Sequence, residues 1–434
     1  MSRHDSSLSR REFLRGSAGA AAALSMGWNV AHAAEGDTPA APPADVEEVK
    51  FAVIGTGNQG QHDLREALKG PGCRCVAVCD IYPPNLQKGL EIAKGAEGYT
   101  DYRKMLERKD IQAVLIVTPL SLHAPMALDA LDAGKHVFVE KTMAYTIEEC
   151  KQIVRKGRET KRVVQVGHQR RYSPLYHHAL AQVKQGVIGD VTAIRAYWNR
   201  NGSWRRGVPK EYEAKFGRLL NWRLYKEYSG GLMTELATHQ FDTITWFLGL
   251  RPISVMGLGG IDWYKDDREV WDNVHVLYEY PGGIKVTYQS LCTNAFDDEG
   301  TTFLGNKGTL ILSENGGQLY QEKSAEIAWA SVAHTEKGVR GKTAIVLDAE
   351  ATTKADKREK TAGVALATGG PGGVKRSNNY LEFVDFFEVV RNPGARQPFA
   401  SGETGLEVAA VVLKANEAME KGTRVYFKPE DFVA

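Results

Sequence analysis

Two patterns of hydrophobic positions divide the chain. From residue 48 to about 170, short apolar runs alternate with segments of helical periodicity. This alternation predicts βαβ units and a parallel sheet. The predicted strands are 50–54, 74–79, 113–117, 136–139 and 163–166, and the predicted helices are 59–68, 84–94, 122–133 and 147–159.

From about residue 171 the pattern changes to longer strands in which apolar and polar residues alternate. These are 191–198, 253–258, 273–280, 284–291 and 301–311, the last with a hairpin turn at Asn306-Lys307-Gly308. The sequence therefore predicts an α/β fold, with an N-terminal doubly wound parallel sheet over 48–170. A C-terminal α+β domain with an open, largely antiparallel sheet is predicted over 171–434.

Two further segments belong to this C-terminal part. An apolar-periodic helix is predicted near 403–421. The range 334–373 is rich in Lys, Ala, Thr and Gly and has weak periodicity, which predicts a surface insertion or a mobile loop.

The chain begins with the features of a twin-arginine export signal. The motif Ser9-Arg10-Arg11-Glu12-Phe13-Leu14 precedes an apolar run that is too short to span a bilayer, and Ala31-His32-Ala33 is a small-residue cleavage site. We expect residues 1–33 to be a signal peptide read by the twin-arginine export machinery and 34–47 to be a linker. The mature protein is then expected to be periplasmic or secreted, with no membrane attachment.

Composition excludes some partners. The 55 Lys and Arg residues nearly balance the 53 Asp and Glu residues, which argues against nucleic acid as a partner. The five cysteines show neither a disulfide framework nor a recurring ligand spacing, so we interpret them as buried thiols and predict no metal site.

A glycine-rich motif follows the first predicted strand directly. It is Gly55-Thr56-Gly57-Asn58-Gln59-Gly60, and it opens a predicted helix whose N–H groups can bind a pyrophosphate. Asp80 ends the second strand, where a carboxylate accepts hydrogen bonds from ribose hydroxyls and repels a 2′-phosphate. This context favours NAD over NADP; the alternative is a glycine-rich turn in an unrelated α/β sheet.

Glu140 and Lys141 follow the strand 136–139. Ligands of doubly wound sheets bind at the carboxyl ends of the strands. A lysine at that edge can donate a hydrogen bond to a reacting hydroxyl group. The alternative is a solvated surface lysine, which is the usual environment of this residue type.

A third candidate lies on the predicted helix that ends at Gly249. Glu235, His239 and Asp242 are spaced to share one face of this otherwise apolar helix. The imidazole of His239 could take a proton from a substrate hydroxyl, and Glu235 could orient the ring. The alternative is a core histidine that is satisfied by its neighbours.

Together these motifs, in this order, resemble the glucose-fructose oxidoreductase, inositol dehydrogenase and MocA family of NAD(P)-dependent sugar oxidoreductases, over about residues 48–430. The resemblance rests on the glycine turn, on Thr118-Pro119 with His123, on Ala133-Gly134-Lys135-His136-Val137 before Glu140-Lys141, and on Gly230-Gly231 before His239 and Asp242. It implies cofactor binding by Gly55, Thr56, Gly57, Asn58, Gln59, Gly60, Asp80, Thr118, Pro119, His123, Glu140 and Lys141.

The resemblance also implies roles for single residues. Lys141 is the catalytic lysine, His239 transfers the proton, and Glu235 takes the place of the usual aspartate. The resemblance further implies a C-terminal open sheet that often forms the oligomer interface in this family, and so a homo-oligomer. Thr142 stands where the family has proline, often at a cis bond, so we expect the lysine to be presented differently.

Aromatic and hydrogen-bonding residues interleave in 197–206 and 221–225. Sugars have apolar C–H faces and a rim of hydroxyl groups, so stacking rings with Asn and Arg suit a carbohydrate substrate. The alternative is an oligomer interface. The candidate substrate-binding residues are His168, Arg171, Tyr172, Asn199, Arg200, Trp204, Trp222 and Arg223.

We therefore predict an exported NAD-dependent oxidoreductase that acts on a sugar and holds its NAD tightly, because no pool recycles the cofactor outside the cytoplasm. The first alternative is a redox-neutral, NAD-dependent glycoside hydrolase or lyase with His239 or Tyr172 as the base. The second is a non-catalytic sugar-binding protein.

Overall fold

The computed structural model describes residues 46–314, 316–322, 334–337, 343–347 and 377–434. The predicted signal peptide, nearly all of the predicted linker and most of the predicted insertion lie outside these residues. Within them, no helix has both the length and the apolar character needed to cross a membrane.

The first sheet has six parallel strands in the order β3-β2-β1-β4-β5-β6, which confirms the predicted doubly wound sheet. Glu97–Tyr99 was not predicted, because three residues without an apolar run give no strand signal. The strands are β1 Val49–Ile54, β2 Cys73–Cys79, β3 Glu97–Tyr99, β4 Ala113–Ile116, β5 His136–Val139 and β6 Val164–Val166.

Five helices accompany this sheet, and four of them match the predicted segments. A capping box at Thr146 and Glu149 fixes the start of α5. The helices are α1 Asn58–Ala67, α2 Pro83–Ile92, α3 Tyr102–Leu106, α4 His123–Asp132 and α5 Ile147–Thr160.

The second sheet has ten strands and is antiparallel except where β7 pairs with β10. Inward and outward residues alternate along Asn273–Glu279, as the sequence pattern predicts. The strands are β7 Val191–Asn199, β8 Ser254–Gly260, β9 Asn273–Glu279, β10 Lys285–Leu291, β11 Glu299–Gly305, β12 Gly308–Leu312, β13 Gly317–Gln321, β14 His334–Lys337, β15 Thr343–Leu347 and β16 Val425–Tyr426.

Two of these strands lie within 334–373, the range predicted to be a surface insertion or a mobile loop. β14 and β15 pair antiparallel with each other, and β15 pairs with β13. They extend one edge of the second sheet, so backbone pairing decides a structure that side-chain periodicity does not show. The rest of 334–373 lies outside the described residues.

The remaining helices are α6 Pro174–Lys184, α7 Lys210–Leu220, α8 Thr238–Leu248, α9 Asn378–Arg391 and α10 Gly402–Lys421. A π-helical segment, Met233–Ala237, runs directly into α8. Helix α8 packs on the second sheet, where the rings of Phe241 and Tyr278 lie 4.5 Å apart.

The end of the chain returns to the first sheet. Phe383 of α9 lies 4.9 Å from Phe138, and Phe387 lies 5.1 Å from Phe51, measured between ring centroids. Leu406 of α10 belongs to the core on the other face of the same sheet. The predicted boundary at residue 170 thus separates the two sheets, but α9 and α10 supply part of the core of the first sheet.

All five cysteines are free. Cys75, Cys79, Cys150 and Cys292 are buried, as interpreted from the sequence, whereas Cys73 is partly exposed. Among the described residues, no group of three or more His, Cys, Asp or Glu side chains could hold a metal ion.

Candidate active site

The turn between β1 and α1 can be built only with glycine at two positions. Gly55 has a φ of +90°, and a Cβ there would lie 2.3 Å from the carbonyl oxygen of Val117. A Cβ on Gly60 would lie 1.9 Å from the carbonyl oxygen of Gly55. At Gly57, by contrast, the nearest atom would be 3.8 Å away, so this side of the turn is open. The turn presents bare backbone at the start of α1.

Asp80 is fixed from two sides at the end of β2. Its Oδ2 accepts a hydrogen bond from the backbone N–H of Thr56 at 2.8 Å, and its Oδ1 accepts one from the N–H of Tyr82 at 2.8 Å. Burial raises the pKa of Asp80, and these hydrogen bonds oppose the shift. The buried Thr56 does not line the cavity described next, so it acts by positioning Asp80 and the turn rather than as the direct cofactor contact predicted.

A cleft of about 730 Å³ lies between the two sheets. Residues of the glycine turn and Asp80 line one side of it, and residues of the second part of the chain line the other. The predicted residues that line it are Gly55, Gly57, Asn58, Gln59, Gly60, Asp80, Thr118, Pro119, His123, Glu140, Lys141, Arg200, Trp204, Trp222, Arg223, Glu235 and His239.

Lys141 follows β5 and points into this cleft. Its Nζ donates a hydrogen bond to the carbonyl oxygen of Glu235 at 3.0 Å. Burial lowers the pKa of Lys141, and the carboxylates of Glu235 and Glu140 oppose that shift. The lysine is therefore not the solvated surface residue of the alternative interpretation.

The bond that follows this lysine is a cis peptide, Lys141-Thr142. The expectation that threonine changes the presentation of the lysine stays a prediction. The hydroxyl group of Thr142 donates to the carbonyl oxygen of Thr234 at 2.8 Å, which ties the bond to the segment before α8.

His123 joins two neighbouring parts of the site. Its ring nitrogens lie 2.9 Å from the carbonyl oxygens of Thr118 and Thr142. The residue is buried, so it holds the chain after β4 against the chain after β5. Its place at the edge of the cleft agrees with the prediction, and its contacts give it a positioning role.

His239 lines the cleft from a buried position on α8. Its ring lies 5.3 Å from the ring of Trp198. Burial, followed by the positive charge of Lys141, lowers the pKa of His239 well below its ordinary value. The imidazole is therefore neutral near pH 7 and can accept a proton.

Glu235 does not orient the ring of His239, which corrects the prediction. Its Oε1 accepts a hydrogen bond from the hydroxyl group of Ser229 at 3.0 Å, and its Oε2 lies 3.3 Å from Nε of Arg223. The five-residue π-helical segment that contains Glu235 changes the helical phase before α8. The regular spacing assumed from the sequence therefore does not hold here.

Three other predicted site residues lie behind the cleft rather than in it. Asp242 forms a buried ion pair with Arg171, whose Nε lies 2.6 Å from its Oδ1, and Nδ1 of His168 lies 4.0 Å from its Oδ2. Neither Arg171 nor His168 lines the cleft. Burial lowers the pKa of His168 to about 4. The prediction that His168 and Arg171 bind substrate is corrected, because both contact Asp242 in the layer that supports α8.

Tyr172 is also removed from the cleft. Its hydroxyl group donates to Oδ2 of Asp385 at 2.8 Å and accepts from the backbone N–H of Ala400 at 3.1 Å. The side chain is fully buried. Tyr172 therefore cannot be the catalytic base or a substrate contact, and its role is to attach the C-terminal helices.

Asn199 faces a second cavity rather than the cleft. Its Nδ2 donates to the carbonyl oxygen of Phe296 at 3.1 Å. The neighbouring Trp198 lines both cavities but was not among the candidates.

The sequence analysis missed a buried pair of carboxyl groups beneath the lysine. Asp63 of α1 accepts a hydrogen bond from Nε2 of Gln59 at 2.9 Å, and its carboxyl group faces that of Glu140. Burial raises the pKa of both groups. Two like charges cannot both be sustained in such a site, so the pair retains a proton. The spacing of Gln59 and Asp63 on one helix face was the only signal.

Two protein-family models match the chain. The model described as "Oxidoreductase family, NAD-binding Rossmann fold" matches residues 49–168, and the model "GFO/IDH/MocA C-terminal domain" matches residues 176–311. Together they cover more than half of the sequence and meet close to the predicted boundary between the two sheets.

Single proteins are similar over different shares of the chain. The scyllo-inositol 2-dehydrogenase (NAD(+)) of Bacillus subtilis is 28% identical over 329 residues, which are 70% of this chain and 90% of that protein. An alpha-N-acetylgalactosaminidase of Shewanella oneidensis is 31% identical over 236 residues, 50% of each chain, so the match spans about half of that relative. A levoglucosan dehydrogenase solved with NADH and levoglucosan has a TM-score of 0.68 at 21% identity, covering 88% of this chain and 99% of its own, and shows the same fold.

Proposed function

The chain belongs to the GFO/IDH/MocA oxidoreductase family and has its NAD-binding Rossmann domain, and from this premise we propose that it oxidises or reduces a hydroxyl-bearing carbon of a sugar or polyol. The observation that carries the proposal is the placement of Lys141 and His239 in one cleft with the glycine turn and Asp80. The scyllo-inositol dehydrogenase relative supports a polyol or sugar as the substrate class.

The residues on the first sheet fit NAD. A Cβ is missing at Gly57, where the turn is open, so the backbone N–H groups at the start of α1 can reach a pyrophosphate. Asp80 is held with its carboxyl group at the cleft, where it can accept hydrogen bonds from ribose hydroxyls. When bound, NAD supplies the acceptor or donor of the hydride.

The residues of the protein itself stabilise the substrate oxygen and transfer its proton. The Nζ of Lys141 donates a hydrogen bond to the substrate oxygen and stabilises negative charge as it develops there. The neutral imidazole of His239 then accepts the hydroxyl proton, while the carbon loses its hydride and the C–O bond becomes a carbonyl. In the reverse direction the imidazolium returns the proton to the alcohol.

The substrate side of the cleft suits a sugar ring. Trp204 and Trp222 offer flat apolar surfaces, and Arg200 and Arg223 offer hydrogen-bond donors. The guanidinium carbon of Arg223 lies 4.2 Å from the centre of the Trp222 ring, which holds both groups at one place.

Replacing the two ionisable groups tests this proposal. Lys141→Met and His239→Asn should each reduce turnover of scyllo-inositol, or of the best substrate in a panel of sugars and polyols, by about 10²–10⁴-fold. NAD should still bind, as followed by NADH fluorescence and calorimetry. The exposed residues Lys88 and His62 provide the matched controls Lys88→Met and His62→Asn. Full activity in either active-site variant would contradict the assignment.

A second candidate function is redox-neutral glycoside cleavage, in which oxidation, elimination of the leaving group, addition of water and re-reduction follow one another. The glycosidase relative favours it. Of the two bases considered from the sequence, His239 lies in the cleft and Tyr172 does not. Release of 4-nitrophenol from its N-acetyl-α-galactosaminide without net NADH would support this function, and stoichiometric NADH without release would contradict it.

We also propose that the protein is exported with NAD already bound. The support is the arginine pair in Ser9-Arg10-Arg11-Glu12-Phe13-Leu14, together with the chemistry of a cofactor that has no external pool. Mature protein recovered from the periplasm should release close to one NAD(H) per chain on denaturation. The double variant Arg10→Lys, Arg11→Lys should remain in the cytoplasm, and its export at the normal level would contradict the proposal. The homo-oligomer stays a prediction.

A further inference from the structure

A second cavity of about 500 Å³ lies beside the cleft. Trp198, Arg200 and Trp204 line both cavities, so the two spaces share one wall. A volume of this size is in the usual range for a small-molecule site. The residues that line the second cavity but not the cleft include Asn199, Asn201, Gly202, Asp298, Glu299 and Glu314.

We propose that this second cavity binds the neighbouring sugar ring of a glycoside substrate while the first ring lies in the cleft. The inference rests on the proposed function and adds a substrate class to it, namely glycosides or oligosaccharides rather than free polyols alone.

The shared wall connects the proposed second site directly to the proton-transferring histidine. The Trp198 ring lies 5.3 Å from the ring of His239, and the guanidinium carbon of Arg200 lies 5.0 Å from the centre of the Trp198 ring. The guanidinium carbon of Arg170 also lies over the Trp198 ring, at 5.6 Å, so Trp204 is the aromatic residue of this wall that is left for a substrate to stack on. A substrate on Trp204 has one ring in the cleft and the next ring in the second cavity. Stacking on aromatic faces is the common way in which proteins bind the C–H faces of sugars.

The groups inside the second cavity are those that bind hydroxyl groups. Glu299 is buried and held by Nη2 of Arg170 at 2.7 Å and by Nε2 of Gln240 at 3.2 Å. Asn199 is 7% exposed, and its Oδ1 has no hydrogen-bond partner among the described residues. Oε1 of Glu299 also accepts a hydrogen bond from the backbone N–H of Glu314 at 2.5 Å, so Glu299 is a fixed part of the wall. The unpartnered acceptor is Oδ1 of Asn199, and a sugar hydroxyl group can satisfy it.

Charge narrows the ligand further. Arg170 compensates Glu299, which leaves the carboxylates of Asp298 and Glu314 against the single guanidinium of Arg200 among the described residues that line this cavity. This balance disfavours an anionic second ring, such as a uronic acid or a sulfated sugar. A neutral or amino sugar fits.

A glycine pair offers a matched test. Gly202 lines the second cavity, its backbone lies outside the left-handed region, and a Cβ there would meet nothing within 4 Å. Gly207 has the same freedom, lies in the same loop and lines neither cavity. Gly202→Leu should therefore occupy the cavity without backbone strain, and Gly207→Leu is its control.

The measurement is equilibrium binding to the full-length, NAD-loaded protein by calorimetry. The probes are methyl N-acetyl-α-galactosaminide and the disaccharide in which the same sugar is α-linked to galactose. We expect the disaccharide to bind at least tenfold tighter, Gly202→Leu to remove that advantage without changing the affinity for the methyl glycoside, and Gly207→Leu to keep it. Equal affinity for the two probes, weakening of both probes by Gly202→Leu, or binding of neither would overturn the proposal.

A negatively charged probe provides an independent test of the second site. Replacing the galactose ring by galacturonate should weaken binding at least fivefold, and Glu314→Gln should restore most of that loss; no penalty for the uronate would count against the site. Turnover of scyllo-inositol and its loss in Lys141→Met report on the proposed function separately. Intact scyllo-inositol turnover with no preference for the disaccharide would overturn the second-ring site alone.

Discussion

The cofactor side and the substrate side of the cleft differ in how far apart along the chain their contacts lie. On the cofactor side, Thr56 and Asp80 are 24 residues apart, and the glycine turn closes on itself between Gly55 and Gly60. In the layer behind the substrate side, Arg171 pairs with Asp242 across 71 residues, and Tyr172 pairs with Asp385 across 213. Local sequence therefore specifies the contacts on the cofactor side. The contacts behind the substrate side form only once distant segments have packed.

A substitution therefore has different consequences in the two regions. A change on the cofactor side alters one turn and the ligand that it binds. A change on the substrate side alters the packing of helices that come from other parts of the chain, and it affects the stability of the fold before it affects the site.

The largest effect on stability is expected from Asp242→Asn, in the layer behind the cleft. The carboxylate is buried and is the partner of the buried Arg171, so its neutralisation leaves a charge unpaired in the core. We expect the free energy of unfolding to fall by about 3–5 kcal/mol, measured by chemical denaturation.

The exposed pair of Lys226 and Glu420 is the control for that variant. Its side chains are 52% and 53% exposed, so Glu420→Gln should change the stability by less than about 1 kcal/mol. Equal effects of the two variants would remove the distinction between buried long-range contacts and surface contacts.

Acid should destabilise the fold through two buried histidines, one at the start of β5 and one after β6. Burial lowers the pKa of His136 and of His168 to about 4. The unfolded chain takes up these protons below about pH 6.5 and the folded chain does not, so stability is fully present above about pH 6.5 and is lost as the pH falls towards 4. The upper limit is about 3 kcal/mol for each histidine.

Denaturation between about pH 7 and pH 4.5 measures this loss. His136→Asn and His168→Asn should each flatten the dependence on pH, and the exposed His62→Asn serves as control. An unchanged slope in both variants would show that these histidines do not govern the acid sensitivity.

Two glycines separate fold from ligand within the cofactor side. Gly60→Ala places a methyl group 1.9 Å from a carbonyl oxygen, so we expect a loss of about 1–3 kcal/mol in stability together with loss of NAD binding. At Gly57 the nearest atom would be 3.8 Å from an added Cβ. Gly57→Ala should therefore lower the affinity for NAD while changing the free energy of unfolding by less than about 0.5 kcal/mol. Thermal unfolding with and without NAD measures both; wild-type stability in Gly60→Ala would contradict the turn geometry.

A smaller effect on NAD binding is expected at Asp80. Its carboxylate holds the glycine turn and is proposed to bind the ribose of NAD. Asp80→Ala removes the acceptor for the N–H groups of Thr56 and Tyr82 as well as the ribose contact. We expect affinity for NAD to fall about tenfold, equivalent to about 1.4 kcal/mol, and the preference over NADP to narrow. Titration with both dinucleotides tests this, and an unchanged preference would refute the role in discrimination.

The predicted cofactor residues other than Thr56 all line the cleft, and they could be predicted because their signals are local. A strand, a glycine motif and an acidic residue at the end of the next strand all lie between Lys50 and Asp80. Lys141 follows from the same rule, since it comes directly after a parallel strand. His239 was found from its helix, and the structure places it in the cleft.

The same reasoning went wrong where it assumed a regular helix or a nearby partner. Glu235 lies in a π-helical segment and contacts Ser229, so it does not orient the ring of His239 as predicted. His168, Arg171 and Tyr172 have the right side chains for a sugar site, but α8 and the C-terminal helices enclose them. Composition identifies the chemistry of a side chain and not the segment that covers it.

Sequence alone was enough to predict most strands and helices of the first sheet, with β3 and α3 as the exceptions. It was also enough to predict the glycine turn after β1 and to single out Lys141 and His239, which line the cleft. Hydrophobic periodicity and glycine sterics act between residues close along the chain, so they can be read without the fold. Only the tertiary structure decided which polar residues support the site, that Asp63 lies against Glu140, and that a second cavity adjoins the first. Burial and partner choice depend on segments far away along the chain, and no local pattern encodes them.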